Sequence, residues 1–357
     1  DERLPDGFNT TLYSYLEENG FQNVKRLADD LKEAEALQGR ALRTMFIADD
    51  AAFARFYADN PWGVKRYEDL SLAQKKWLFY GSMIDQSIQV MNLSNTTSQT
   101  GPIIGNAMRR QSLVTYSDSV TVLPFDQIPQ NKYWAPVLAQ NKSIHIMQDM
   151  SVAPLAFFTE PFLKRNQITN DDVNFVYNFA VDRQPGDAFI ANASIIGPNQ
   201  RACNGFVHQV DEVLVPLDNM AGTLRTTPDL SRWSSFIERY CIPVYAGDEA
   251  TTAYNHEHKA DVDSLFIRRY LSQRNQTGEP IEEVTLYHIN GDAMLKFDPG
   301  WNAYYSDEPA VSDKEVLLQK NMGVMLVPSD EALADYWDNG TGKILKDYYG
   351  TWENVPD

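Results

Sequence analysis

His208 and Asp211 are the residues whose types most invite a catalytic reading, an imidazole with a carboxylate close by in sequence. Side chains along a strand alternate between faces, so residues three apart point to opposite sides and Asp211 cannot orient His208 directly. His208 shares a face with Phe206, Val210 and Leu214. That marks it as a core histidine, and a buried polar group of this kind is held by a hydrogen bond. Its partner is expected from the stretch at Asp50, either that carboxylate or the backbone near it. In Asn255-His256-Glu257-His258, a strand would put His256 and His258 on one face as two metal ligands. Two ligands do not complete a site and no third is indicated, so the preferred reading is an exposed polar loop and no metal is assigned. Neither a Gly-x-Ser-x-Gly elbow nor a Gly-rich phosphate loop is present, so no catalytic residue and no cofactor is assigned. The candidate ligand-binding residues are Trp301, Tyr304 and Tyr305, set among turn formers in DPGWNAYYSDEP. Aromatics so placed stack on sugar rings or anchor a protein partner, and the competing account is that they cover their own domain's core.

The chain that must position these groups has 357 residues, 43% of them hydrophobic and 12% aromatic, enough for about two domains with sizeable cores. Its net charge of −18 repels phosphate backbones, so nucleic acid is excluded as a partner. No apolar run reaches the ~20 residues that span a bilayer. Cys203 and Cys241 are too few for a disulfide framework; one bridge stays open, and two buried free thiols are the preferred reading.

Asn204-Gly205 is a turn, and the ten residues after it read as one strand with apolar side chains on both faces, ended by Pro216. Upstream, Thr10 or Thr11 caps a short helix, and Phe21, Val24, Leu27, Ala28 and Leu31 keep helical spacing. Met45 to Ala48 reads as a strand, followed by a helix capped by Asp49 with Phe53, Phe56 and Tyr57 on its buried face. Leu70 to Met91 reads as further helix, SLVTYSDSVTVLP as a hairpin, and ITNDDVNFVYNFA as a helix capped by Asn170 or Asp171. Beyond Leu217, the stretch 218–228 reads as a linker. A helix capped by Thr227 with Pro228 at its first position opens a second domain. DVDSLFIRRYLSQ reads as a helix within an insertion at about 248–309.

Two stretches carry a family resemblance. Asn204, Gly205, His208, Asp211, Val213, Leu214 and Pro216 stand in the register of the second signature box of fasciclin-type (FAS1) domains. TMFIADDAAF resembles the first box through Phe46, Asp50, Ala52 and Phe53, with Ala48 and Asp49 replacing the usual Pro and Thr/Ser. GVMLVPSDEAL, with Pro328, Ser329 and Asp330, is similar to a second copy of that first box. The resemblance implies an α+β fold, a wedge-like β-sandwich of short strands flanked by helices, repeated. A complete domain would span 1–217, and 229–357 would hold a second, partial one without a closing strand. The motif residues are then structural. Tyr80 is followed by Gly81 where many members carry Tyr-His, so integrin-type contact does not carry over. The implied function is non-enzymatic adhesion or ligand binding at a cell surface, outside the cytoplasm, with a protein or glycan as partner. Long insertions make the chain resemble bacterial surface lipoproteins, so the rival is an accessory of an outer-membrane nutrient importer that captures glycans or peptides. A hydrolase is the more distant alternative.

Overall fold

The computed structural model describes residues 9–40, 42–147, 154–216, 220–270 and 325–356. The chain forms two compact units, each assembled from separated segments. In the first, Thr11 caps α1 (Leu12–Glu18) by accepting from the Ser14 N–H. α2 (Gln22–Asp30) buries Val24, Leu27 and Ala28, and α3 (Ala34–Gln38) buries Leu37. β1 (Arg43–Ala48) is buried from Thr44 onward, and Asp49 caps α4 (Asp50–Ala58) through the Ala52 N–H at 2.8 Å. The single helix expected from Leu70 to Met91 is instead α5 (Leu72–Tyr80) followed by β2 (Met83–Asp85). Gly81 divides them, because a Cβ there would lie 2.2 Å from the Trp77 carbonyl oxygen. β3 (Thr96–Ser98) and β4 (Gly101–Ile103) pair with each other, and β5 (Arg109–Gln111) follows.

The expected hairpin around Ser117-Asp118 does not form. The buried Asp118 carboxylate accepts from Lys76 Nζ at 2.8 Å, and from the Thr115 N–H and hydroxyl at 2.7 and 2.8 Å. This closes a tight turn at the point where the chain passes to the second unit. β6 (Val120–Leu123), α6 (Ala135–Leu138) and β7 (Ile144–Met147) belong there, and β6 pairs with β7. The chain returns to the first unit with β8 (Pro154–Phe158), α7 (Glu160–Asn166), α8 (Asn170–Val176), β9 (Phe189–Ile190), β10 (Ala193–Ala202) and β11 (Gly205–Val210). Thr169 caps α8 in a reciprocal capping box with Asp172, one residue ahead of the expected cap.

The sheet of the first unit runs β2-β1-β11-β10-β9-β8-β5. β1 and β11 are parallel, with Phe46 opposite His208, and the neighbouring pairs are antiparallel. β11 ends at Val210 instead of running on to Val215. There Asp211 leaves the ladder, its side chain accepting from the Ser194 N–H at 2.7 Å and its carbonyl from Arg55 at 2.6 Å. The core packs Leu12, Leu27, Phe53 and Phe79 from the helices with Met45, Phe46 and Val207 from the two central strands.

In the second unit, the stretch expected as a linker holds α9 (Met220–Thr226), whose Ala221 and Leu224 are buried. A 3-10 turn at Pro228–Leu230 precedes α10 (Ser231–Glu238). β12 (Cys241–Tyr245), α11 (Asp248–His258), β13 (Leu265–Tyr270), α12 (Asp330–Asp338) and α13 (Lys343–Tyr349) follow. The sheet order is β12-β13-β7-β6, with β13 parallel to β7. β13 lies in a segment expected to be helical. Pairing on both of its edges satisfies the backbone there and overrides the local pattern. Trp134 is fully buried at the centre of this unit and its indole N–H donates to the Cys241 carbonyl at 2.8 Å. Around it pack Ile128, Val137, Ile146, Leu224, Ile237 and Phe266. Both units are therefore α+β, with mixed sheets and flanking helices. The second copy of the first box forms no strand over Met325–Pro328, and Leu326 there is exposed.

Candidate functional site

Of the residues that sequence reading singled out, Phe46, Asn204, Gly205 and His208 come together where β11 meets β1. Asn204 sits in the turn before β11 and is 3% exposed. Its Oδ1 accepts from the Leu12 N–H at 2.9 Å, and its Nδ2 donates to the carbonyls of Leu37 and Gly39, each at 2.8 Å. One side chain thus satisfies backbone groups at the start of α1 and the end of α3. Gly205 must be glycine, because a Cβ would lie 2.1 Å from the Arg43 carbonyl oxygen on the paired strand. Pro216 lies beyond the strand, its ring within 3.0 Å of where a Cβ on Gly81 would project.

His208 is fully buried, with its ring 5.3 Å from that of Phe46 and stacked with Phe206 at 6.2 Å. The expected partner at Asp50 is not the one found. Nδ1 accepts from the Asn199 N–H at 2.9 Å, and Nε2 lies 2.9 Å from the Ile88 carbonyl oxygen. An acceptor at Nδ1 carries no proton, so the proton is on Nε2 and is donated to Ile88. The ring is neutral, and burial pushes its pKa down to about 4 despite the Ile88 carbonyl, which favours the charged form. Both nitrogens are committed to main chain.

Asp50 serves a different end. Its Oδ1 accepts from the Asn23 N–H and side-chain amide at 2.9 and 2.8 Å, and its Oδ2 from the Gln22 N–H at 3.2 Å. It caps α2 from outside, satisfying N–H groups that the helix leaves free. Asp330 does the same in the second unit, where Oδ1 accepts from the Arg232 N–H at 2.8 Å and Oδ2 from the Ser231 hydroxyl at 2.5 Å, at the start of α10. Those bonds hold its carboxyl below the usual range. Ser329, following Pro328, caps α12 through the Ala332 N–H at 3.1 Å, as Asp49 caps α4. Phe53, from α4, is buried among the core aromatics. The two copies of the first box therefore share one local arrangement: a cap for their own helix and a second carboxylate for an earlier helix, α2 in one unit and α10 in the other.

The remaining candidates do not join this cluster. Asn255 to His258 lies in α11, where residues two apart diverge by about 200°, so His256 and His258 do not share a face. His258 stacks on Tyr254 at 4.4 Å instead. Among the described residues no group of His, Cys, Asp and Glu could hold a metal ion. Both cysteines are free; Cys241 is buried, but Cys203 is exposed, contrary to the expectation of two buried thiols. Trp301, Tyr304 and Tyr305 lie outside the described residues, as does the expected insertion beyond Tyr270.

Three polar features leave no local signal in the sequence. Arg183 is 3% exposed and reaches Glu160 at 2.6 Å and Asn170 at 2.5 Å. With Lys164, it pushes the Glu160 carboxyl down to about 2. Lys76 and Asp118 form a second buried ion pair. Arg109, 4% exposed, leaves Nε and Nη2 without hydrogen-bond partners.

No family model matches the sequence, and no curated protein does. A solved structure to which the chain is similar is the FAS1 domain pair from the insect cell adhesion molecule Fasciclin I, at 14% identity and a TM-score of 0.29. The match covers 67% of this chain and 64% of that one. Among the described residues, no helix is long and apolar enough to cross a membrane.

Proposed function

We propose that this chain is a non-enzymatic binding protein of the fasciclin type, acting outside the cytoplasm at a cell surface, with a protein or glycan as its partner. The observation that carries this reading is the saturation of the motif histidine. Its two ring nitrogens are bonded to the Asn199 N–H and the Ile88 carbonyl, so it has neither a lone pair nor a proton for a substrate. The other motif residues cross-link backbone in the same way, Asn204 at α1 and α3 and Asp50 at α2. A scaffold fixed by its motif polar groups leaves recognition to other surfaces, and loops carried by rigid elements are the usual place for it. Trp301, Tyr304 and Tyr305 are our candidates for that contact.

The test is capture from the envelope of the source cells, together with protease accessibility on intact cells. Wild-type protein should retain a defined protein or glycan, and the triple substitution of Trp301, Tyr304 and Tyr305 to Ala should lose it while still melting cooperatively. Substrate turnover that disappears in a folded His208→Gln variant would overturn the reading.

A further inference from the structure

We propose that the end of α8 and the loop behind it form a docking surface for a basic, amphipathic protein segment, an inference that rests on the binding-protein reading above. Phe175, Val176 and Phe179 are 71%, 62% and 69% exposed, and the two phenyl rings meet edge to face with centroids 6.1 Å apart. Three large apolar side chains in water on one short stretch cost solvation and contribute little to the core.

The loop does not present them by looseness. Asn178 and Phe179 both hold positive φ, 52° and 57°, a left-handed conformation disfavoured for a bulky side chain. Asn174 fixes the loop twice, accepting from the Phe179 N–H at its carbonyl (2.6 Å) and from the Arg183 N–H at its side chain (3.0 Å). Arg183 is in turn buried against Glu160, Asn170 and the Asp187 carbonyl. Tyr177 faces the other way and donates its hydroxyl to the Ala191 carbonyl at 2.5 Å. The backbone that carries the rings is therefore fixed, which lowers the entropic cost of using them as binding anchors.

Charge selects the occupant. The stretch from Thr169 to Asp182 contains Asp171, Asp172 and Asp182 and no Lys, Arg or His. Asp171 lies one helical turn before Phe175, which puts a carboxylate beside the apolar side chains, while Asp172 adds its charge from the capping box with Thr169. Arg183, the next arginine along the chain, is paired with Glu160 inside the protein. Apolar anchors flanked by lysine or arginine complement such a surface, whereas acidic segments, nucleic acid and anionic lipid are repelled.

The probe is a labelled helical peptide with leucines on one face and lysines beside them, with a counterpart carrying glutamates in place of the lysines. Wild-type protein should bind the first and not the second, and a photo-crosslinker on the first should mark residues 171–182. Phe175→Gln with Phe179→Gly should weaken binding by about tenfold or more. Phe179→Gly alone should not lower the melting temperature, because glycine accepts the positive φ. Asp171→Asn with Asp182→Asn should flatten the salt dependence. Unchanged affinity in the ring variant, or phosphatidylcholine vesicles that bind through these rings while the peptide does not, overturns the proposal. Envelope capture that persists without ring-dependent peptide binding overturns this surface alone and leaves the proposed function standing.

Discussion

Replacing His208 with alanine tests the structural reading of the motif most directly. The substitution leaves the Asn199 N–H and the Ile88 carbonyl without partners inside the first unit. Each such group costs about 1–3 kcal/mol, and ring packing against Phe46 and Phe206 is lost as well, so the variant should be destabilised by about 3–5 kcal/mol near neutral pH. The penalty should shrink in acid, for the following reason. Folded His208 has a pKa of about 4 against 6.5 when unfolded. Below 6.5 the unfolded chain takes up a proton that the folded chain refuses, so wild-type stability falls as the pH drops towards 4. At 1.36 kcal/mol per pH unit the full loss is ~3 kcal/mol, of which ~2 is reached by pH 5. The alanine variant has no such dependence from this site. His145, whose pKa burial and Lys142 also lower, is common to both proteins and cancels in the difference. Hydrogen exchange of the β11 amides reads this local stability at each pH. A penalty below 1 kcal/mol, or one that stays constant between neutral pH and pH 5, would refute the argument.

Arg109→Met should stabilise the first unit by about 1–3 kcal/mol, measured by urea titration, because a nearly buried guanidinium is exchanged for an apolar chain of similar volume. Burial alone lowers that guanidinium to about 10, with no carboxylate offsetting it. Asp50→Ala should cost about 1–2 kcal/mol through the N-terminus of α2, and Asp330→Ala should lower the melting temperature of the second unit through α10. A fragment of residues 220–356 should fail to melt cooperatively unless Ser119–Met147 is supplied, since β13 would lose its parallel partner β7. Scanning calorimetry of the fragment with and without that segment checks this.

Local patterns made part of this structure legible. Thr11, Asp49 and the apolar spacing of α2 and α4 announce helices through interactions within one or two turns, and those elements stand as read. The turn at Asn204-Gly205 and the strand after it are likewise local. The errors share a different cause. β13 reads as a helix because its strand character comes from β12 and β7, and β7 lies more than a hundred residues upstream. The hairpin at Ser117 fails because Lys76, on another element, claims Asp118. Asp50 was the natural guess for His208 because both belong to signature stretches. Its carboxylate is instead fully engaged with α2, while the histidine finds two backbone groups that no side-chain pattern can reveal. Arg183 and Glu160 escaped for the same reason: a charge pair across a loop leaves no periodicity.

The parallel register of β1 with β11 constrains the order of events during synthesis. Asn204, which closes the helical start of the chain, is 192 positions from its partner Leu12. A ribosome adds ~5–20 residues per second, so β1 waits roughly eight to thirty seconds with one edge open before its neighbour emerges. Pairs so remote form slowly even in a finished chain. In that interval the exposed edge of Arg43–Ala48, apolar from Met45 to Ala48, is a template for any other extended segment. Nascent chains of this protein should therefore bind holdase chaperones from the time β1 appears until β11 is complete, and a stall placed between the two should trap that complex.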